Sequence, residues 1–459
     1  MSENPIIQRL LDRYRYEDYV TIKEMCAISQ PVDVAEALSH FEPSDALKVL
    51  KMLPLDVQVD IFPYLDPEMQ EQLALLMPLS ELSRLFSELP SDDRADLFKS
   101  LPEGRQEELY RSLASAERED LRRLESYPEG SCGAAMTSDY MSLPPDITAS
   151  RAINLIRAQA PDKETIYYCY VVSPTRKLIG IVSLRDLILA HPERLVGDIM
   201  KTEVLHCNVY DDQEKAANII RKYDLIALPI TNGNNSLVGI ITHDDALDIF
   251  DQEHTEDLEK FMAIAGSHEA GAYMRTPIWQ HFRNRVGWIL GLAFLGTVSG
   301  YIVQSFEGLL LQFAVLASFM PMLADTGGNT GSQSATLVIR AMALGEVSPK
   351  DLLRVLWREL LVAIPLAVLL GMFAIGRVFV FYSGDGLPPS VTPSLVGFTI
   401  ALALGLQVVT STLVGALLPM AAARLRLDPA VVASPALTTV VDISGLIIFF
   451  TTAKVLLTV

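Results

Sequence analysis

Two stretches of this 459-residue sequence place carboxylates where they are costly. In "SPALTTVVDISGLIIFF", Asp442 stands alone among apolar and weakly polar residues. A charge inside a run that reads as lipid-buried is expensive and marks function by default. No Lys or Arg lies at mid-depth of that run to pair with it, and the negative sign points to a cation pathway. In "THDDALDIFDQEHTEDLEKF", Asp244, Asp245, Asp248, Asp251, Glu253, Glu256, Asp257 and Glu259 follow one another with no Lys or Arg between them. On a helix, Asp245 and Asp248 share a face, as do Glu253, Glu256 and Asp257. Like charges at that spacing repel. A charge run is most often a solvated face. A linker strained by its own charge becomes compact once cations neutralise it, so a cation sensor is the sharper reading. A third stretch, "PMLADTGGNTGSQSAT", has Gly327, Gly328 and Gly331 to loosen a helix and Asn329, Ser332, Gln333 and Ser334 to line a cavity beside Asp325. It reads as a broken span, because irregular backbone at membrane depth is tolerated where it lines water or is buried in protein. Close helix packing through small residues is the plainer reading, and the two are compatible.

The elements that position these groups follow from composition. The chain is 50% hydrophobic and carries a net charge of −19. From Gly271 onward there are 11 Lys+Arg and 8 Asp+Glu, which leaves 26 basic and 48 acidic residues before it from the totals of 37 and 56. The first part is thus strongly acidic and the second sparse in charge. An acidic surface disfavours nucleic acid. The four cysteines show no CxxC spacing, so no zinc site is expected. No cleavable signal is read at "MSENPIIQRLLDRYRYEDYV".

Between Val32 and Leu113, prolines recur at Pro43, Pro54, Pro67, Pro78, Pro90 and Pro102. Proline suits the first turn of a helix and stops the one before it. The pattern predicts a stack of short helices, a small α-superhelix. From Met136 to Phe261 the order helix, strand, turn, strand, helix occurs twice, aligned on "KLIGIVSLRDL" and "SLVGIITHDDA". These copies resemble a tandem pair of CBS domains, modules that are usually regulatory and often bind adenine nucleotides.

From Val286 five membrane spans are expected, beginning with "VGWILGLAFLGTVSGYIV", which is close to the ~20 apolar residues a helix needs to cross. The second runs from Gly308 through the glycine-rich stretch, the third covers "LLVAIPLAVLLGMFAIG", the fourth "LVGFTIALALGLQVVTSTLVGALLPMAAA", and the fifth runs from about Pro429 to Leu457. Arg275, Arg283 and Arg285, then Arg340, Lys350, Arg354 and Arg358, then Arg424 and Arg426 fall on one side. By the positive-inside rule the N-terminal part is cytoplasmic and the C-terminus faces out. Arg377 is the exception, and Lys454 can snorkel.

With "GGNTGSQSATLVIRA" and "LDPAVVASPALTTVVDISG", the chain resembles the MgtE family of magnesium channels along nearly its whole length. The implied architecture is multidomain. Residues 1–130 form an acidic all-α superhelix, 131–200 and 201–247 an α/β CBS pair, 248–278 an acidic connecting helix, and 279–459 a polytopic α-helical membrane domain of five transmembrane helices. The resemblance implies a homodimer in the lipid of a bacterial inner membrane, with a pore on the two-fold axis. Asp442 would bind hydrated Mg²⁺ there, which dehydrates reluctantly. Passage would run down the electrochemical gradient, with no ATPase signature and no catalytic residues; the chain is read as no enzyme. High cytosolic Mg²⁺ would bridge Asp92, Asp96, Glu214, Asp224, Asp245, Asp248, Glu253, Glu256 and Asp257, with Asp428 joining at the inner mouth, and close the pore. Arg185 and Asp186 match the place where family members contact ATP. Ser332 and Ser434 stand where the family often has Asn, and Thr438 where a small apolar residue is common, so preference among Mg²⁺, Mn²⁺ and Co²⁺ stays open. Competing expectations are a transporter of another divalent metal, a proton-coupled carrier of organic cations using Asp442, an anion channel, which would want cationic groups at its site, and a membrane-anchored regulator without transport.

Overall fold

The computed structural model describes residues 5–264, 276–381, 391–429 and 434–458. The chain divides into two compact units, Met1–Phe250 and Asp251–Val459. In the first, the proline rhythm becomes a run of short helices: α1 (Pro5–Arg15), α2 (Tyr19–Ile28), α3 (Pro31–Leu38), α4 (Pro43–Lys51), α5 (Leu55–Ile61), α6 (Pro67–Leu76), α7 (Leu79–Glu88), α8 (Ser91–Ser100), α9 (Glu103–Ser112) and α10 (Ser115–Glu125). Pro43 and Pro67 occupy first-turn positions, while Pro54, Pro78, Pro90 and Pro102 are the capping residues before α5, α7, α8 and α9. Proline is tolerated there because the first-turn N–H groups have no helical partner to lose. From α3 to α10 each helix packs on the one two further along the chain, which builds the expected superhelical stack. Leu38, Leu50, Ile61, Leu73, Leu82 and Leu109 form its fully buried spine.

The two repeats that follow are β1 (Tyr140–Leu143), α11 (Ala149–Gln159), β2 (Thr165–Val172), β3 (Leu178–Ser183), α12 (Leu184–Leu189) and α13 (Val196–Ile199), then β4 (Cys207–Asn208), α14 (Gln213–Tyr223), β5 (Ala227–Thr231), β6 (Leu237–Thr242) and α15 (His243–Phe261). Each repeat has one three-stranded sheet, a parallel pair followed by an antiparallel one. The segment before each repeat is lent to the other. Thr137 bridges Ile240 on β6, and Lys201 bridges Ile181 on β3. Gly239 and Gly180 make room for this, since a Cβ on either would strike Met136 or Met200 at 2.5 Å.

The second unit contains α16 (Ile278–Ser305), α17 (Glu307–Gln312), a 3-10 segment over Ala314–Phe319, α18 (Met320–Ala343), α19 (Leu352–Phe381), α20 (Pro393–Arg424) and α21 (Ser434–Leu457). Helix α20 is the hub and packs against α18, α19 and α21. Four helices, α16, α19 with the turn before it, α20 and α21, are long and apolar enough to cross a membrane. The second expected span is not among them. Helix α18 has 24 residues, but its polar residues and glycines keep it short of that apolar threshold.

The expectation of a broken helix at the glycines is corrected. Helix α18 runs unbroken through Gly327, Gly328 and Gly331, and the interruption lies before it, at Phe313 and the 3-10 turn. In a bundle every backbone group must find a partner, and the helix supplies one for each residue. The glycines serve packing: a Cβ on Gly331 would lie 3.3 Å from the Ser411 carbonyl, and one on Gly415 would collide with the Gly331 carbonyl. Arg377, the odd basic residue of α19, donates to the Ser318 carbonyl at 2.9 Å and lies 4.2 Å over the Phe319 ring, so it pins the interruption. The loop "SGDGLPPS" and residues 430–433 lie outside the described residues.

The Gly331–Gly415 approach is testable. Gly415→Val should destabilise the full chain in detergent by about 1–3 kcal/mol or more, the cost of overpacking. Gly376→Ala, which meets nothing within 4 Å, should be neutral within about 0.5 kcal/mol by denaturant unfolding.

Candidate cation sites

In the first unit, the start of α8 is anchored to the segment leading into β1. The Ser91 hydroxyl is buried, lies 3.0 Å from the Thr137 hydroxyl and accepts from the Ser138 N–H at 2.6 Å. The Asp139 carboxylate accepts from the Ser91 N–H at 3.2 Å and holds Arg94 at 3.5 Å. This fixes Asp92 and Asp93 on the first turn of α8, with Glu164, Asp244 and Asp245 in their field. Asp92 Oδ1 is buried with no hydrogen-bond partner. Burial, then the charges of Asp93, Asp245 and Glu164, push the Asp92 carboxyl well above the usual carboxylate range. Asp93 is pushed up to about 7 by burial and by Asp96, Glu164, Asp245 and Asp244. Glu164 is pushed up to about 7 by burial and by Asp245, Asp244 and Asp139. Desolvation and like charge both disfavour the ionised form.

Asp245 has a second task. It accepts from the Thr242 N–H at 2.9 Å and the Thr242 hydroxyl at 2.6 Å, which caps α15. Burial raises its carboxyl as well, against those hydrogen bonds. Among the described residues no three His, Cys, Asp or Glu side chains form a ready-made metal cage. The cluster is a shared field of hard oxygen donors, with one buried oxygen unsatisfied.

Asp96 stays in the field of Asp93 but is exposed and pairs with Lys99 at 3.4 Å. The other expected residues scatter. Glu214 is exposed on the first turn of α14, and Asp224 ends that helix in a left-handed conformation at φ 50°. Asp248 is exposed on α15. Arg185 is exposed on α12, and the Asp186 N–H donates to the Ser183 hydroxyl at 3.1 Å.

Within the second unit, Glu253 and Asp257 lie on the later turns of α15. Lys260, one residue past the acidic run, pairs with both Glu256 and Asp428, the latter at 3.2 Å. It supplies a fixed cation where only acids were expected to meet.

Asp442 lies on α21, and its Oδ1 is buried with no hydrogen-bond partner. Beside it, Gln407 of α20 is fully buried and donates to the Val441 carbonyl at 3.1 Å. Helix α18 has two faces. Gly327, Gly328, Gly331, Ser334 and Ala335 are buried, while Asp325, Asn329, Gln333 and Thr336 form an exposed polar stripe at helical spacing.

Residues 320–452 match the family model described as MgtE, divalent cation transporter; 29–130 match the MgtE intracellular N domain, and 132–193 and 196–251 match CBS domains. The chain belongs to the MgtE family. That is a family of transporters and not of enzymes. An MgtE relative from Thermus thermophilus, named as a magnesium transporter, is 38% identical over 73% of this chain and 72% of its own length. One from Bacillus subtilis, named likewise, is 32% identical over 98% of this chain and 97% of its own. Among solved structures, the soluble part of a magnesium transporter aligns with TM-score 0.51 and 28% identity, over 54% of this chain and 97% of that one. The cytosolic domain of the Mg²⁺ channel MgtE in complex with ATP aligns with TM-score 0.50 and 32% identity, over 52% and 98%. The MgtE membership and the apolar helices make this a membrane protein.

The raised carboxyls fix a pH dependence. Between about pH 4 and about pH 7 the folded chain keeps protons that the unfolded chain has released, so stability falls as pH rises through that window. With chelator present, the unfolding midpoint should drop across it, and Asp93→Asn should flatten the slope. A wild-type midpoint unchanged across the window would contradict the cluster.

Proposed function

We propose that this chain carries Mg²⁺ into the cell, down its electrochemical gradient, and that Mg²⁺ on the cytosolic side closes the path. The observation that carries the first half is Asp442: a carboxylate on an apolar helix with one buried oxygen unpartnered. An intramembrane acid without a protein cation is tolerable where a mobile cation and its water share the site. Mg²⁺ suits such a site because it keeps several waters and asks for few direct ligands. The MgtE membership and the relatives named as magnesium transporters support Mg²⁺ as substrate.

The exposed polar stripe of α18 supports a homodimer. Asp325, Asn329, Gln333 and Thr336 would be expensive against lipid and are tolerable against a water-filled two-fold axis. On this reading α18 is the second of five spans, covered by the second copy rather than by lipid. The basic loops support a reading with the N-terminal part in the cytoplasm of a bacterial cell and the C-terminus outside.

The control half rests on the cluster around Asp92. Its donors are all hard oxygens, which fit Mg²⁺, and its unsatisfied buried oxygen is what a hydrated dication would relieve. Neutralised, α8 and the start of α15 hold together; without the ion they repel. Only an ion that binds the closed form better than the open one can shift the population. In the first unit, Asp96, Glu214, Asp224 and Asp248 are further acids that the resemblance assigns to this control; in the second, Glu253, Glu256, Asp257 and Asp428 are the others. Lys260 supplies part of the compensation permanently. ATP at Arg185 and Asp186 would add a second input to the same pair of repeats, in line with the ATP-bound cytosolic domain of a relative.

Purified full chain in liposomes with a magnesium-sensitive dye tests the pathway. Wild type should show Mg²⁺ influx, and Asp442→Ala should lose nearly all of it. Absence of wild-type flux, or full flux in the variant, overturns the reading. For the control half, millimolar Mg²⁺ should protect residues 244–260 from limited proteolysis, whereas equal cleavage with chelator counts against it.

A further inference from the structure

Gln407 is the one large polar side chain that α20 sends into the contact with α18 and α21 among its described residues. It is 0% exposed, and its Nε2 donates to the Val441 carbonyl at 3.1 Å. That carbonyl also accepts from the Ser444 hydroxyl at 3.0 Å. The amide fits because both neighbouring helices present glycine to it. A Cβ on Gly327 of α18 or on Gly445 of α21 would collide with the Gln407 amide. Its Oε1 is buried with no hydrogen-bond partner. Packing alone does not explain this choice. A leucine of similar size would fill the space without burying an unsatisfied oxygen, which is costly. Some proteins keep a buried polar group at a cost in stability because it specifies geometry.

What it specifies follows from chain order. The carbonyl that Gln407 holds belongs to Val441, and the next residue is Asp442. Fixing α21 in height and rotation at Val441 fixes where the Asp442 carboxylate projects. A site that works through a hydrated ion needs that placement, because a small shift changes which waters it reaches. We propose that Gln407 is the positioning residue of the ion pathway: its amide, threaded between Gly327 and Gly445, sets α21 so that Asp442 selects its cation. This rests on the reading of Asp442 as the pathway carboxylate.

The test uses the full chain in liposomes, with Mg²⁺ and Mn²⁺ influx measured separately. Gln407→Leu keeps the volume and removes the amide. It should slow Mg²⁺ influx by about tenfold and change the Mg²⁺ to Mn²⁺ ratio by about threefold or more, while remaining monodisperse. Gly445→Ala should give the same shift of ratio in the wild-type background, and change little further in a Gln407→Ala background, because the two share one contact. This second comparison decides the matter if Gln407→Leu does not fold. An unchanged rate, a slower rate with an unchanged ratio, or additive effects of the Gly445→Ala pair would each overturn the proposal. Asp442→Asn, run alongside, separates the two failures. If it abolishes influx while Gln407→Leu behaves as wild type, the pathway stands and the positioning role falls. If it leaves influx intact, the pathway reading falls first.

Discussion

A carboxylate taken out of water must be compensated by a protein cation, a proton or a mobile ion. That constraint runs through both units of this chain. Asp92 on α8 and Asp442 on α21 each keep one buried oxygen without a partner. Where a protein cation is supplied, the geometry is ordinary: Lys260 holds Glu256 and Asp428, and Arg94 holds Asp139. Where none is supplied, the groups around Asp92 rise toward neutrality, and Asp93 and Glu164 reach about 7. On the proposed function, passage and control are two uses of one device, an acid that is incomplete without a visiting dication.

The scaffold serves this incompleteness by being rigid around it. Ser91, Thr137, Ser138 and Asp139 tie the start of α8 to the segment that leads into β1, which keeps Asp92 and Asp93 in the field of Glu164 and Asp245. Glycines at 331 and 415 bring α18 and α20 into backbone contact, and Gln407 locks α21 against them. Small residues at helix crossings let dispersion and hydrogen bonding hold a bundle that lipid itself does not drive together.

Much of this was legible in the residues. The prolines announced the short helices because proline acts locally, at the cap and first turn. The strand-turn-strand repeats announced the paired sheets through the aligned copies "KLIGIVSLRDL" and "SLVGIITHDDA". Asp442 stood out because nothing near it in sequence could pay for its charge. What stayed hidden was tertiary. Asp93 and Glu164 join the acid cluster across the boundary between helical stack and sheets, with no shared motif to signal it. Lys260 lies one residue beyond the acidic run, yet its partner Asp428 is far along the chain. Gln407 reads as a lone polar residue in an apolar helix, and its meaning depends on glycines of two other helices. The glycines of α18 misled in the other direction: a cluster that predicts a break in isolation is used for packing, because a helix in a bundle cannot leave its backbone unsatisfied.

The compensation itself can be measured by calorimetric titration of Mg²⁺ into the full chain near neutral pH, repeated in buffers of different ionisation enthalpy. Binding at the Asp92 cluster should expel the protons that Asp93 and Glu164 still hold, so Mg²⁺ uptake is accompanied by proton release that shrinks in Asp93→Asn. Mg²⁺ binding with no proton release, or with the same release in the variant, would contradict the idea that dication and proton compete to complete these acids.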